Sequence, residues 1–367
     1  MTSRDPRPAA DSGAEMAPVP CWTAQFPAVS QGSFPGTDPR EPVRIMSGEN
    51  PDLPSVPELP ARGPGADMIG RALSLLAKVA PEFAGETTTA GWRLAGRTTD
   101  AGNRTMRRGS SWFAQDCDTA AESYGGATAV KVAVAGPWTV CATVELANGH
   151  RILSDRGAVG DVLAAYPVML AELVAEMRRC WTGALVVQLD EPSVAAVLGA
   201  GVATPSGLDF YRGVSSDDVR NGLRGALGAV GSAGAATVVH CCAVPAPLPL
   251  LRAVGADALS LDLAQQRPDG RGGQDEQELA ELLESGGSLV AGVVGWTAPA
   301  SPAPAAAGAQ RLMDLCHRMG LPLDSVAPRV ALSTPCGIAG ASPAGSRDIT
   351  RRVSEVAAIL RQEVVPS

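Results

Sequence analysis

Two spacings of apolar residues alternate along most of the chain. In the longer segments, apolar residues recur every three to four positions, which is typical of helices that bury one face. One of these segments begins with Ser215, Ser216, Asp217 and Asp218, residue types that cap helix N-termini. The predicted helices cover residues 40–46, 67–79, 161–180, 215–230, 249–254, 274–284, 305–319 and 347–362.

Shorter apolar runs lie between these segments and have the length and flanking turn residues of buried strands. A first strand begins at Val29, and residues 51–64 read as an extended loop because prolines recur in it. The remaining strands are predicted over residues 91–94, 130–134, 184–189, 236–242, 258–263, 288–296 and 329–334. The chain therefore alternates strands with helices.

This alternation predicts an α/β fold with a parallel sheet, because strands separated by a helix pair through right-handed crossovers. Eight candidate strands over about 340 residues fit a (β/α)8 TIM barrel. We expect a single barrel domain over residues 28–367, preceded by a flexible tail at residues 1–27. A doubly wound sheet is the competing fold, but no Gly-x-Gly-x-x-Gly follows the first strand.

Composition narrows the class of partner. A formal net charge of −8 and an aromatic content of 4% offer neither a basic surface nor stacking platforms for nucleic acid. The eight cysteines are scattered over 367 residues, which suits a reducing compartment. The N-terminus lacks the apolar segment of a secretory signal, and no apolar run approaches the roughly 20 residues of a membrane span. We therefore expect a cytoplasmic protein without a membrane partner.

The candidate chemistry is concentrated in the run Val238-Val239-His240-Cys241-Cys242. Because side chains alternate along a strand, His240 and Cys242 share one face, whereas Cys241 faces the helices. An imidazole and a thiolate side by side are half of a tetrahedral zinc site. A buried pair of free cysteines beside a hydrogen-bonded histidine explains this stretch, taken alone, equally well.

Further candidate ligands follow the ends of later strands, where active sites of TIM barrels lie. Along residues 258–263 the leucines share one face and Asp262 the other, so Asp262 is expected to point inward; Cys336 follows the last barrel strand. Taken alone, Asp262 also fits a carboxylate paired with an arginine, and Cys336 a buried thiol beside a glycine turn. The combination with His240 and Cys242 favours a zinc site at the carboxyl ends of the strands, since thiolates select zinc over magnesium or calcium.

Six short motifs carry a family resemblance. They occur in the order Gly32-Ser33-Phe34-Pro35, Gly136-Pro137-Trp138-Thr139, Leu189-Asp190-Glu191-Pro192, His240-x-Cys242, Leu259-Ser260-Leu261-Asp262 and Pro335-Cys336-Gly337. Together they resemble the catalytic barrel of the cobalamin-independent methionine synthase family, from about Gly32 to the C-terminal helix. That family consists of zinc-dependent barrels that methylate the sulfur of homocysteine. In this resemblance His240, Cys242 and Cys336 match zinc ligands, and Asp262 stands where the family has a metal-binding glutamate.

The resemblance also implies substrate contacts. Asp190 matches the aspartate that holds homocysteine and is the expected catalytic and substrate-binding residue, while Gly32 and Ser33 match a backbone clamp. Glu58 is a further expected substrate-binding residue. The chain departs from the family at Thr297, where the family has its catalytic histidine, and the chain has no room for the second barrel of full-length members. Short single-barrel relatives are thought to take the methyl group from a corrinoid instead of a folate.

The expected function is therefore the zinc-dependent transfer of a methyl group to homocysteine, which gives methionine. The donor is either a methyl folate or a methyl corrinoid, the latter free or carried by a corrinoid protein. Three alternatives stay open. They are a zinc enzyme acting on another thiol, a lyase on a barrel like that of uroporphyrinogen decarboxylase, and a non-catalytic barrel that binds zinc.

Overall fold

The computed structural model describes residues 21–50, 52–95, 100–265, 274–297, 301–302 and 304–364. Most of the predicted tail therefore lies outside the described residues. Its last part is packed, because Cys21 and Trp22 are 2% and 4% exposed and the indole Nε1 of Trp22 donates to the carbonyl oxygen of Pro328 at 3.1 Å. The packed part of the chain thus includes residues 21–27, ahead of the predicted domain start at residue 28.

The structure has an α/β fold organised around a curled parallel sheet. Its strands are β1 Gly85–Thr88, β2 Gly91–Leu94, β3 Ala129–Ala135, β4 Ala184–Asp190, β5 Ala236–Cys241, β6 Ala258–Asp262, β7 Ser288–Gly292, β8 Trp296–Thr297, β9 Ser301–Pro302 and β10 Val330–Ser333. The curled sheet has six parallel strands in the order β10-β7-β6-β5-β4-β3. Sequential strands are therefore neighbours, as the predicted βα alternation requires.

Helices cover the outer face of this sheet. They are α1 Arg40–Glu49, α2 Met68–Val79, α3 Asp100–Ser123, α4 Pro137–Thr143, α5 Arg156–Cys180, α6 Val194–Leu198, α7 Ser216–Ser232, α8 Leu248–Ala253, α9 Glu276–Glu284, α10 Ala305–Met319, α11 Leu323–Val326 and α12 Pro343–Glu363, with 3-10 turns at Pro60–Arg62, Pro81–Phe83 and Ile152–Ser154. Side-chain caps start several of them at the predicted places. Asp67 accepts from the backbone N–H of Gly70, and Ser215 accepts from that of Asp218.

Two short extended segments join the open edges of the six-stranded sheet. Parallel bridges pair Ala28 with Leu332, Val29 with Leu53, and Ser55 with Lys131. The backbone N–H of Val29 donates to the carbonyl oxygen of Leu332 at 2.8 Å, and the N–H of Val56 donates to that of Lys131 at 2.8 Å. The sheet is thus TIM-barrel-like, with residues 28–29 and 53–55 in the first two strand positions.

The prediction of the second barrel strand was wrong. Residues 91–94 do form a strand, but it pairs with Gly85–Thr88 in a separate antiparallel hairpin. The second position of the barrel belongs instead to part of the segment 51–64, which reads as a loop in the sequence. Pro54 and Pro57 interrupt its strand pattern, because proline has no N–H to donate to a neighbouring strand.

The interior of the barrel is layered. Small apolar side chains fill its lower part, with Cys21 and Trp22 below them: Val29, Leu53, Ala129, Val186, Ala236, Val238, Ala258, Val290 and Ala331. Polar side chains form the next layer up, towards the carboxyl ends of the strands: Gln31, Lys131, Gln188, His240, Ser260 and Ser333. Cys241 packs in the large apolar cluster between sheet and helices, as strand alternation predicts.

Helix α3 was not predicted, although it has 24 residues. Its buried residues include Met106, Phe113 and Ala120, which recur every seven positions among polar residues and glycines. Gly109 allows close packing on α2, because a Cβ atom there would lie 2.3 Å from the hydroxyl oxygen of Ser74. The apolar stripe is therefore too narrow to stand out in the sequence, and the contact with α2 stabilises the helix.

Helix α5 is long and apolar enough to cross a membrane by length and composition alone. Its buried side chains are Val162, Tyr166, Met169, Leu170, Leu173, Val174 and Met177. The hydroxyl group of Tyr166 donates to the carbonyl oxygen of Ala135 at 2.8 Å. Packing against helices α2 and α7 and against the sheet accounts for much of the apolar character of this helix.

The carboxylate of Glu191, which follows strand β4, caps the N-terminus of helix α4. It accepts hydrogen bonds from the backbone N–H groups of Trp138 and Thr139 and from the Thr139 hydroxyl, at 2.7 to 3.0 Å. Glu191 is 0% exposed, and a Cβ atom on Gly136 would lie 2.3 Å from its Oε1. The Asp-Glu-Pro and Gly-Pro-Trp-Thr motifs thus meet in a structural contact.

We predict that Glu191→Ala lowers the free energy of unfolding by about 3 kcal/mol, because it leaves buried donors unpaired. The measurement is urea denaturation followed by circular dichroism. Asp348→Ala is the control, since it removes a carboxylate that is about half exposed and should cost at most about 0.5 kcal/mol. A loss below about 0.5 kcal/mol for Glu191→Ala would show that this cap does not stabilise the fold.

Candidate active site

A cavity of about 270 Å³ opens at the carboxyl ends of the barrel strands. It is lined by predicted site residues from widely separated parts of the chain: Gly32, Ser33, Glu58, Asp190, His240, Cys242 and Cys336. Asp262 does not line it. Parallel strands bring their ends to one face of a barrel, so residues distant in sequence converge there.

Three of these residues form a compact group of metal-ligand atoms. A ring nitrogen of His240 and the sulfur atoms of Cys242 and Cys336 all lie within 4.8 Å of one another. Nδ1 of His240 is 3.0 Å from the hydroxyl oxygen of Ser260. This contact fixes the ring and leaves Nε2, which is buried and has no hydrogen-bond partner in the described part of the chain.

The surroundings shift the pKa values of the two thiols of this group in opposite directions. The contact with Cys242, together with His240, lowers the pKa of Cys336. The same contact, with burial, raises the pKa of Cys242. Cys336 is therefore the thiol that deprotonates more readily, and a cation at this place would stabilise its thiolate form.

The donor set fits a zinc ion. Two sulfurs and one imidazole nitrogen are ligand types that zinc prefers, they lie close enough together to bind one ion, and three protein ligands leave one position open. The buried and unpartnered Nε2 of His240 is the clearest indication, because an orphaned polar atom in the interior requires an explanation. His240, Cys242 and Cys336 are the residues that would hold the metal.

Asp262 does not join this group, contrary to its prediction as a fourth ligand. Its Oδ1 accepts from the backbone N–H groups of Ala264 and Gln265, and its Oδ2 accepts from the side-chain amide of Gln265 at 2.6 Å. Asp262 is 1% exposed. The short aspartate side chain stabilises the turn that follows β6, and the alternation of faces could not reveal this local use.

Two carboxylates line the cavity together with the three metal-ligand residues. Oδ1 of Asp190 accepts from the side-chain amide of Gln188 at 2.7 Å, and burial raises the pKa of Asp190 although His240 opposes the shift. Burial also raises the pKa of Glu58 to about 7, opposed by the charge of Arg71 and reinforced by that of Asp190. A cationic ligand group would relieve both effects.

The segments that carry Ser33 and Glu58 are bound to each other and to the Cys336 loop. The backbone N–H of Phe34 donates to the carbonyl oxygen of Glu58, and the N–H of Glu58 donates to that of Gly32. At Gly337, a Cβ atom would lie 2.6 Å from that of Ser33. Glycine at this position therefore lets the loop with Cys336 approach the first strand position.

Sequence reasoning missed a buried polar network beneath the cavity. The side-chain amide of Gln31 donates to the hydroxyls of Ser260 and Ser333, and the amide of Gln188 donates to the side-chain oxygen of Gln31 at 3.1 Å. The ammonium of Lys131 donates to Gln188 at 2.7 Å, and burial lowers its pKa to about 8. The signal was a polar residue at alternate positions within apolar strands, which indicates a polar layer inside a barrel.

Arg71 also lines the cavity and was not predicted as a site residue. It lies within helix α2, where the apolar periodicity of the sequence gives no indication of a site. A single arginine in an amphipathic helix is ordinarily a solvated residue, so only the three-dimensional arrangement identifies it.

Comparison with known proteins supports the fold. No family model and no curated protein matches the sequence. Among solved structures, a B12-independent methionine synthase from Shewanella sp. W3-18-1, in complex with selenomethionine, aligns over 93% of this chain and 99% of its own, with a TM-score of 0.60 and 15% identity. A methyltransferase from Methanosarcina mazei aligns over 93% of this chain and 95% of its own, with a TM-score of 0.52 and 15% identity. At this identity the likeness establishes the fold.

We predict that the purified protein binds about one zinc ion per chain and that Cys242→Ser and Cys336→Ser abolish this binding. Cys241→Ser is the matched control and should retain the metal, because Cys241 packs between sheet and helices. Asp262→Asn should also retain it. The measurement is elemental analysis of gel-filtered protein. Loss of zinc from Asp262→Asn as complete as that from Cys336→Ser would restore Asp262 as a ligand.

Proposed function

We propose that this chain is a zinc-dependent methyltransferase that converts homocysteine to methionine. One observation carries the proposal: a single cavity unites the metal-ligand group of His240, Cys242 and Cys336 with the carboxylates of Asp190 and Glu58. The metal-ligand group is suited to a thiol, and the two carboxylates are suited to an ammonium group. The likeness in fold to a methionine synthase and to a methyltransferase supports the proposal.

The substrate is an amino acid whose side chain ends in a thiol. In the proposed arrangement Asp190 pairs with the substrate ammonium, assisted by Glu58, because Glu58 is buried, Asp190 is partly buried, and both carboxylates lack a full complement of positive partners. Gly32 and Ser33 line the same cavity. Since the N–H of Gly32 already donates to the hydroxyl of Ser30, the N–H of Ser33 is the backbone donor that we assign to the substrate carboxylate. The free cysteines of the chain are compatible with the cytoplasmic location that we propose.

A free thiol has a pKa of about 8.5, so at neutral pH it is mostly protonated and a poor nucleophile. Zinc in this site would lower the pKa of the substrate thiol and thereby supply the thiolate. The protein contributes the geometry. Ser260 fixes the ring of His240, and the polar network holds Ser260 and Asp190 in register. The substrate sulfur and ammonium are thereby held at two fixed ends of the cavity. Fixing the substrate in this way lowers the entropic part of the activation barrier.

The transfer forms a sulfur–carbon bond and breaks the bond between the methyl group and its donor. With a methyl folate, the electron pair remains on a nitrogen that needs a proton. With a methyl corrinoid, the pair remains on cobalt and no proton is needed. Since Thr297 stands where the resemblance places a catalytic histidine, we propose a corrinoid donor.

We predict that methionine forms faster from homocysteine and methylcobalamin than from homocysteine and methyltetrahydrofolate. Loss of a general acid costs on the order of 10² to 10⁴ in rate when the leaving group requires a proton. Thr297→His should raise only the folate reaction. The measurement is methionine formation with each donor by mass spectrometry. Robust turnover with the folate and none with methylcobalamin would refute the proposed donor.

Methionine binding should tighten by about five- to tenfold between pH 6 and pH 8, because burial raises the pKa of Glu58 to about 7 and this carboxyl group binds the ammonium only when ionised. Methionine has no thiol, and its ammonium titrates at higher pH, so the carboxylate dominates the profile. The measurement is calorimetric titration. Glu58→Gln should bind more weakly and flatten the profile; an unchanged profile in this variant would remove Glu58 from the substrate site.

A further inference from the structure

Arg71 contributes a buried side chain to the wall of the cavity. Its side chain is 3% exposed. Nη2 donates to the carbonyl oxygen of Pro57 at 2.6 Å and to Oδ2 of Asp116 at 3.2 Å, and the guanidinium carbon lies 5.1 Å from the centre of the Phe113 ring. Nη1 is buried and has no hydrogen-bond partner among the described residues. Arg71 is therefore fixed on one side and has unused donors on the other.

The positive charge of Arg71 is only partly matched. Asp116 also accepts from Nη1 of Arg62 at 2.8 Å, so two buried guanidinium groups share one carboxylate. Glu58 in the cavity wall adds a second negative charge, and Arg71 lowers its pKa through this proximity. When a cation neutralises Glu58, Arg71 is left without a matching anion in the wall.

We propose that Arg71 binds the carboxylate of the amino-acid substrate through its free Nη1 face. The cavity then recognises both charges of the zwitterion, with Asp190 and Glu58 at the ammonium and Arg71 at the carboxylate beside the backbone of Ser33. This inference rests on the proposed function, since it specifies how the same cavity selects its thiol substrate. It makes Arg71 a specificity-determining residue.

A carboxylate fits this place better than a larger anion. The cavity has only about 270 Å³, and its wall already contains the carboxylates of Asp190 and Glu58. A doubly charged phosphate would meet repulsion from both, whereas a zwitterion brings its own ammonium group to them. Nη1 carries two N–H donors without a partner among the described residues, and a hydrogen bond from a guanidinium to a carboxylate oxygen is short and strong because both groups are charged.

The test compares homocysteine with 3-aminopropane-1-thiol, which lacks the carboxylate, and with 4-sulfanylbutanoate, which lacks the ammonium. Calorimetric titration of the zinc-loaded protein should show homocysteine binding about 10- to 100-fold more tightly than 3-aminopropane-1-thiol, the range expected for a charged hydrogen bond. Arg71→Gln should reduce this ratio severalfold, down to the preference that the backbone of Ser33 alone supplies. It should leave the preference for homocysteine over 4-sulfanylbutanoate in place.

Arg62→Gln is the matched control. It also removes a guanidinium from Asp116 and an unpartnered buried nitrogen, but Arg62 does not line the cavity. Its ratio should stay at the wild-type value. Thermal unfolding of both variants reports any shared loss of stability. Arg71→Lys keeps the positive charge but lacks the planar guanidinium, so its ratio of affinities should lie between those of the wild type and Arg71→Gln.

Three results would overturn the proposal. They are a wild type that binds homocysteine and 3-aminopropane-1-thiol equally, an unchanged ratio in Arg71→Gln, and an equal loss of the ratio in Arg62→Gln. The first needs no variant and so holds even if Arg71→Gln fails to fold. The proposed reaction fails separately: absence of methyl transfer with an intact carboxylate preference would leave Arg71 in place and remove the methyltransferase assignment.

Discussion

The candidate site depends on one constraint: polar groups buried inside a barrel must find hydrogen-bond partners within it. Gln31 and Gln188 meet this constraint at the centre of the barrel. Gln31 bonds the hydroxyls of Ser260 and Ser333, and Gln188 links Gln31 to Asp190. Ser260 in turn holds Nδ1 of His240, which commits the other ring nitrogen to the cavity. The metal-ligand group and the carboxylate of Asp190 thus rest on one network.

The same shortage of partners applies to the charged groups of the cavity. The described wall combines the buried carboxylate of Glu58, the partly buried carboxylate of Asp190, one guanidinium and a pair of cysteines, and the charged groups are only partly matched by opposite charges. Such an arrangement is unfavourable for an empty interior and favourable for a ligand with complementary groups. A zwitterionic thiol together with a soft metal would complement these groups, and this complementarity supports the proposed reaction.

Much of this arrangement follows from the sequence, because strand ends of a parallel barrel converge and side chains alternate. The positions of His240, Cys242 and Cys336 around one cavity are consequences of these two rules. The rules fail where a local contact competes. Asp262 was expected to face the metal, but the turn at Ala264 and Gln265 uses its carboxylate. The prolines in the segment 53–58 mask the pattern of a strand, so the sequence does not reveal that this segment occupies a strand position of the barrel. Arg71 lines the cavity only because α2 packs on the barrel, and the sequence gives no indication of that contact.

The central claim is that the metal-ligand group and the carboxylates form one binding site for homocysteine. The most direct measurement is calorimetric titration of homocysteine into zinc-loaded and chelator-treated protein, with 2-aminobutanoate as the thiol-free reference. The account predicts one homocysteine per chain, with at least about tenfold weaker binding after zinc removal and no effect of zinc on 2-aminobutanoate. Homocysteine affinity that is the same with and without zinc would contradict it.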